Sequence, residues 1–272
     1  MRLPVYIADA FTHKLFSGNP AAVCPLTDWL PDELMQQIAA ENNLSETVFF
    51  VPQQDGAFTV RWFTPTVEVK LCGHATLAAA HIMYTELSYD KEEIVFLSAS
   101  GKLVVTKVGE NKYQLDFPAN TCEEVTDMPE GLFEGLKIAH APVFKSSFDY
   151  MVVLPSQQAV EDLQPAFSEL AKVKARGVIC TAKGEASDVV ARCFYPQSGI
   201  NEDPVTGSAH TIIIPYWAKQ LGKNQLKSTQ LSKRKGYLDC ELRGERVLMR
   251  GEVVTYLKGT FFTEENKPVV AE

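Results

Sequence analysis

Two glycines in this sequence stand where a strand-like run gives way to an apolar, helix-like run: Gly73 and Gly207. The first backbone N–H groups of a helix have no partner within the helix, and the helix dipole places positive charge there. Such points bind carboxylates and phosphates. Because neither glycine lies in a G-x-G-x-x-G or P-loop motif, the turns predict a site for a small carboxylate that needs no nucleotide and no metal. The alternative is that both glycines only allow tight turns.

Three side chains beside these glycines could take part in chemistry. The dipole at the helix start disfavours an imidazolium, so His74 is expected to be a neutral ring that donates or accepts a hydrogen bond. Ser208 offers a hydroxyl for an anion but has no evident base partner. Cys72 places a thiol directly before the first glycine. A capping or packing role for His74 is the alternative.

Two carboxyl groups are the candidate acids and bases. Glu46 lies in the segment 42–47, which comes directly before the apolar residues 48–50, and partial desolvation there would suit a carboxyl group to general acid catalysis. Asp203 stands in a turn-rich loop before the second glycine, where acids often serve as caps. Glu202 remains an alternative to Asp203 as the more important acid. For Glu46, the alternative is an ordinary solvated glutamate in a loop.

Composition limits the partners of the chain. The formal net charge of −8 over 272 residues argues against nucleic acid or an anionic membrane as the main partner. The six cysteines are scattered, without a C-x-x-C pair or metal-ligand spacing. No apolar run approaches the roughly 20 residues that a membrane helix needs. We therefore expect a reduced cytoplasmic protein that binds a small metabolite.

The order of elements suggests an internal repeat. The pattern Arg-x-Phe-x-Pro at 61–65 precedes Gly73 and an apolar helix, and the same pattern at 192–196 precedes Gly207 and another. Repeats of this length predict two similar domains with a site between them. We place the halves at 1–117 and 118–272, with a final strand near 258–272 that returns to the first half. Helices are expected at 73–84, 160–170 and 208–219, and strands at 246–250 and within 253–262.

Several segments together resemble the PhzF (phenazine biosynthesis) protein family. They occur in that family's order and cover most of the chain: DAFT at 9–12, GNPAAV at 18–23, NLSET at 43–47, RWFTP at 61–65, CGHAT at 72–76 and EDPVTGSAH at 202–210. The resemblance implies a diaminopimelate-epimerase-like α+β fold of two pseudo-symmetric domains, each a curved, mostly antiparallel sheet or barrel around a central helix. It also implies an enzyme without a cofactor, commonly a homodimer.

The resemblance also implies roles for individual residues. Glu46 matches the family's catalytic general acid/base, which moves a proton in an isomerisation. The residues that match those which surround and orient the substrate are His74, Asp203 and Ser208. The two helix-start turns that hold the substrate carboxylate are matched by Gly73 and Gly207.

One departure from a distant relative bears on the reaction. Diaminopimelate epimerase uses two thiols, one at each glycine turn, whereas this chain has Cys72 at the first turn and Thr206 at the second. A threonine hydroxyl is too weak an acid to replace a thiol near neutral pH. A two-thiol racemase is therefore disfavoured, and Cys72 remains only a further candidate for a direct role.

The sequence thus favours an isomerase that moves a proton within a small carboxylate-bearing substrate. Two alternatives stay open: an amino-acid epimerase or racemase, with one base or with Glu46 paired to Cys72 or Asp203, and a small-acid binding protein without catalysis. The motifs describe the proton-transfer core, and they identify neither the substrate nor a phenazine pathway.

Overall fold

The computed structural model describes residues 1–263, and its sheets are built from strands of very unequal length. The strands are β1 Arg2–Ala10, β2 Asn19–Pro25, β3 Glu46–Pro52, β4 Phe58–Phe63, β5 Glu68–Val69, β6 Glu93–Ser98, β7 Gly101–Lys107, β8 Lys112–Pro118, β9 Glu123–Glu124, β10 Val143–Lys145, β11 Asp149–Val153, β12 Gly177–Lys183, β13 Val189–Tyr195, β14 Ile200–Asp203, β15 Gln225–Gln230, β16 Gly236–Arg243 and β17 Arg246–Phe262. The helices are α1 Asp32–Asn42, α2 Gly73–Glu86, α3 Leu132–Leu136, α4 Gln157–Glu161, α5 Phe167–Leu170 and α6 Gly207–Leu221, with a 3₁₀ turn at Pro196–Ser198.

The first half is a closed ring of strands around α2. The strands pair in the order β1, β2, β3, β4, β6, β7, β8 and β17, and β17 returns to β1. Side chains of α2 are buried at every position from His74 to Met83. A helix that is apolar on all sides is stable only when it is enclosed, so α2 forms the centre of this half.

The second half repeats the first around α6. Strands β2 and β3 are parallel, as are β4 and β6, and the second half repeats this with β11 and β12 and with β13 and β15. The register is also repeated, because Thr47 lies opposite Phe63 and Val178 lies opposite Phe194. The predicted fold of two pseudo-symmetric α+β halves is confirmed.

Strand β17 joins the two halves. Its first residues pair with β16 on one side and β8 on the other, and its later residues pair with β1. The prediction of separate strands at 246–250 and 253–262 was wrong, since one strand runs through Gly251. A Cβ atom at Gly251 would lie 2.4 Å from Cδ1 of Phe11, so glycine allows the strand to pass this ring.

The final strand predicted near 258–272, which was expected to return to the first half, overlaps the end of β17. Residues 258–262 pair with residues 2–6 of β1, while residues 264–272 lie outside the described part of the chain. Because β17 pairs with strands of both halves, strand pairing gives no single cut between them. The boundary between 117 and 118 stays a prediction.

The single helix expected at 160–170 was a wrong prediction. The chain forms the two short helices α4 and α5 there, with Pro165 between them. Proline lacks an N–H group and clashes with the preceding turn, so a helix cannot continue through it without distortion. Between Met1 and Thr263, no helix is both long and apolar enough to cross a membrane.

Candidate active site

The starts of α2 and α6 meet where the two halves face each other. A Cβ atom built on Gly207 would lie 4.0 Å from Cα of Gly73. The preceding residues, Cys72 and Thr206, are extended, and neither side chain caps its helix. The two helix starts therefore direct N–H groups and positive dipole ends to one region, which is the arrangement that binds an anion.

Glu46 reaches this region from the first residue of β3. Its Oε2 lies 3.1 Å from Nε2 of His74, and the two side chains are 13% and 6% exposed. The pair is within ion-pair distance, although its angle falls outside hydrogen-bond geometry, and Nε2 has no other partner in the described part of the chain. A carboxyl group and an imidazole are thus held side by side in a partly dehydrated place.

The environment of His74 favours its protonated form. Burial alone would lower the pKa of His74, but negative charge at Cys72 and Glu46 raises the pKa well above its ordinary value. Burial and the Glu46 carboxylate raise the pKa of Cys72 itself, so this thiol is protonated near neutral pH and Glu46 is the effective partner. A neutral His74 was expected from the sequence on account of the helix dipole, and the fold places against that effect a carboxylate that favours the imidazolium.

Cys72 lies inside the candidate site. Its Sγ is 3.5 Å from Nδ1 of His74, on the opposite edge of the ring from Glu46. A thiol with a raised pKa supplies little thiolate near neutral pH, and the thiolate is the form that acts as base or nucleophile. Cys72 thus lies next to the Glu46–His74 pair, but its protonated thiol is unsuited to act as a base.

Asp203 approaches the site from the second half. Its Oδ1 accepts a 2.8 Å hydrogen bond from Nδ2 of Asn19, and its Oδ2 accepts one of 2.5 Å from Thr206. Burial raises the pKa of Asp203 to about 6; the charge of His74 opposes this shift, and that of Glu46 adds to it. A carboxyl group in this pKa range can exchange a proton near neutral pH.

Asn19 connects the two halves within the site. The same Nδ2 that bonds Asp203 lies 3.2 Å from Nδ1 of His74 and 2.9 Å from the carbonyl oxygen of Val205. The residue is fully buried. Sequence reasoning used Asn19 only as part of the family resemblance, since an asparagine after Gly18 is equally typical of an ordinary turn.

The neighbouring acid Glu202 points elsewhere. It accepts two hydrogen bonds from Arg192, of 2.7 and 2.9 Å, and this pair lines a surface cavity of about 600 Å³. Successive residues of a strand face opposite sides, which explains why Asp203 lies in the site and Glu202 does not. The structure thus brings only one of the two alternative acids to His74.

Ser208 has a partner that sequence reasoning missed. Nη1 of Arg176 donates a 3.0 Å hydrogen bond to its hydroxyl oxygen, and the guanidinium is held by two bonds to the buried carboxylate of Asp149. Arg176 directly precedes β12, as Ser45 precedes β3. Aligning the two halves at these strands would have directed attention to it.

Three potential metal-ligand atoms of Glu46, Cys72 and His74 lie within 4.8 Å of one another. However, His74 faces Cys72 through Nδ1 and Glu46 through Nε2. A histidine binds an ion through one nitrogen, so a three-ligand site would require one of these side chains to turn. The present geometry is better suited to holding and moving a proton.

Comparison with known proteins identifies the family of this chain. Residues 8–259 match the family model described as "Phenazine biosynthesis-like protein". The chain is 48% identical to an uncharacterized isomerase of Pseudomonas aeruginosa, over 96% of this chain and 99% of the relative. A crystal structure of a PhzF-family phenazine biosynthesis protein from Enterococcus faecalis is 43% identical, with a TM-score of 0.92 over 97% of this chain and 100% of that one. A predicted epimerase from P. aeruginosa shares the fold at 20% identity, with a TM-score of 0.74 over 96% of this chain and all of that one. The chain belongs to the phenazine biosynthesis-like family.

Proposed function

We propose that this family member is an isomerase that moves a proton within a small carboxylate-bearing substrate, with Glu46 as the general acid/base and without an added cofactor. The observation that carries the proposal is the 3.1 Å contact between Glu46 and His74 beside the meeting helix starts. The naming of a relative with 48% identity as an isomerase supports the reaction class.

In the proposed reaction, the N–H groups that follow Gly73 and Gly207 hold the substrate carboxylate. Glu46 takes a proton from one atom of the substrate and returns it to another. The positive charge of His74 stabilises the Glu46 carboxylate before the transfer, and Asp203 and Ser208 orient the bound molecule. One well-placed acid/base group contributes about 10²–10⁴-fold to a rate.

The internal repeat favours one base over two symmetric ones. Gly177 is the first residue of β12, as Glu46 is of β3, so the second half has no carboxyl group at the equivalent position. A single base that removes and returns a proton suits an isomerisation on one face of the substrate. A two-base epimerase needs groups on opposite faces.

An epimerase is the second candidate because Asp203 could serve as the other base. Burial raises the pKa of Asp203 to about 6, and Asn19 connects it to His74. Reaction in deuterium oxide separates the two reactions. Deuterium incorporation with a shifted double bond indicates isomerisation, and incorporation with inversion at a stereocentre indicates epimerisation.

The proposal is tested by a deuterium-exchange screen against carboxylic-acid metabolites, including dihydro-hydroxyanthranilate, followed by nuclear magnetic resonance. The variant Glu46→Gln keeps the shape of the side chain and removes its acid/base capacity, so we expect exchange to fall about 10²–10⁴-fold. Glu41→Gln, an exposed glutamate at the end of α1, is the matched control. Exchange by Glu46→Gln at the wild-type rate would refute the proposal.

A further inference from the structure

The position that Glu46 holds in the first half is occupied in the second half by the ring of Tyr195. A Cβ atom on Gly177 would lie 2.1 Å from Cδ1 of Tyr195, so any larger residue at 177 would collide with the ring. Glycine at this position therefore admits an aromatic side chain where the first half has a carboxylate.

Among residues 1–263, the buried hydroxyl of Tyr195 has no hydrogen-bond partner, and the residue is 6% exposed. Buried hydroxyl groups in folded proteins nearly always have a partner, and an exception calls for an explanation. A ligand that supplies the missing acceptor is one such explanation.

Tyr195 faces the interior that contains α6. It packs in the same core as Cys193 and Ile212, whereas the intervening Phe194 packs in a separate core. The guanidinium carbon of Arg176 lies 5.4 Å from the centre of the tyrosine ring, and the same guanidinium bonds the hydroxyl of Ser208 in the first turn of α6. One arginine side chain thus spans the distance between Tyr195 and this helix start.

The electrostatic surroundings keep Tyr195 a donor. Burial first, and then the negative charge of Asp149, raise the pKa of Tyr195 well above its ordinary value. The phenol therefore remains protonated at neutral pH, beside a guanidinium that also favours an anionic acceptor.

We propose that Tyr195 is a substrate-binding residue, which donates a hydrogen bond to the substrate carboxylate at the α6 end of the site. The two halves then use equivalent positions differently: Glu46 moves the proton, and Tyr195 holds the acid group. This inference rests on the proposed function, because it requires a carboxylate-bearing substrate between the two helix starts.

The variant Tyr195→Phe tests the inference, since it removes only the hydroxyl. Binding of anthranilate, benzoate and the acids of the exchange screen is measured by calorimetry, with aniline and benzene as counterparts without the carboxylate. We expect Tyr195→Phe to bind the acids about tenfold more weakly, the loss typical of one hydrogen bond, with no change for the counterparts. Tyr237→Phe, at an exposed tyrosine, is the control and should bind as the wild type does.

Thermal unfolding provides the readout that separates binding from structure. A phenylalanine in place of an unpaired hydroxyl should leave the melting temperature unchanged or raised, whereas loss of a structural hydrogen bond would lower it. The inference is overturned if Tyr195→Phe binds the acids as tightly as the wild type, if it melts at a lower temperature, or if none of the acids binds the wild type. Glu46→Gln should still bind the acids. If the proton-transfer proposal fails, the exchange rate of Glu46→Gln equals that of the wild type, and this result is distinct from each of the three above.

Discussion

Asn19 donates a 2.8 Å hydrogen bond to the carboxylate of Asp203 across the junction of the two halves. The same amide nitrogen lies 3.2 Å from Nδ1 of His74. A buried asparagine thus connects an acid of the second half to the imidazole that contacts Glu46 in the first.

Replacement of this asparagine should therefore affect stability and activity together. In Asn19→Ala, the carboxylate of Asp203 and the carbonyl of Val205 each lose a buried donor. We expect the free energy of unfolding to fall by roughly 1–3 kcal/mol, measured by chemical denaturation, and the exchange rate to fall as well. Asn201→Ala, at an exposed asparagine, is the control. Wild-type stability in Asn19→Ala would show that the bridge does not hold the halves together.

The raised pKa of Asp203 predicts a pH-dependent stability. Its pKa is about 6 in the folded chain, above the ordinary value of 3.8, so the folded chain binds this proton more tightly. The contribution of Asp203 to stability therefore rises as the pH falls through 6 and is least favourable above it. We expect Asp203→Asn to gain stability relative to the wild type at pH values above 6, and the difference to shrink as the pH falls towards 4. Melting temperatures of both proteins across this range measure the difference; a difference that does not vary with pH would contradict the assigned shift.

The sequence was informative where the chemistry depends on local pattern. Gly73 and Gly207 could be recognised because a glycine between a strand-like and a helix-like run is a local signal, and the repeat supplied it twice. The partner of His74 could not be predicted, because it is a carboxylate 28 positions away in the chain that only the fold brings to 3.1 Å. The same holds for Tyr195, whose unpaired hydroxyl becomes visible only once β12 and β13 are paired.

Strand and helix bounds show the same division. Pro165 is a local signal that ends a helix, so the division into two short helices could be predicted from the sequence. The full length of β17 could not be predicted in this way, because it is set by the partner strands β1, β8 and β16 rather than by the residues of β17. Sheets depend on pairing between distant segments, and their bounds follow from the fold as a whole.

Replacement of Cys72 should have a much smaller effect than replacement of Glu46. Burial and the nearby carboxylate raise the pKa of the Cys72 thiol, so little thiolate is available as a base. We expect Cys72→Ser to lower the exchange rate by less than about tenfold, against the 10²–10⁴-fold or so expected for Glu46→Gln. Thiol-alkylating reagents should also react slowly with the wild-type site. A loss in Cys72→Ser as large as that in Glu46→Gln would instead assign the thiol a direct role.

Glu202 and Asp203 should differ in what their replacement affects. Glu202 is bound at both oxygens by Arg192, with side chains 21% and 13% exposed, and it faces away from His74. We expect Glu202→Gln to lower the free energy of unfolding by roughly 1–3 kcal/mol while the exchange rate per folded molecule is retained. Asp203→Asn should instead lower the exchange rate.

The first half provides a matched control for this comparison. Arg61 and Glu68 form the equivalent pair between β4 and β5, but the Glu68 side chain is 41% exposed. An exposed ion pair contributes about 0–1 kcal/mol, so Glu68→Gln should cost less stability than Glu202→Gln. If Glu202→Gln lost exchange activity while its stability was unchanged, the acid that serves the site would be Glu202 rather than Asp203, and the face that β14 presents to His74 would have to be reassigned.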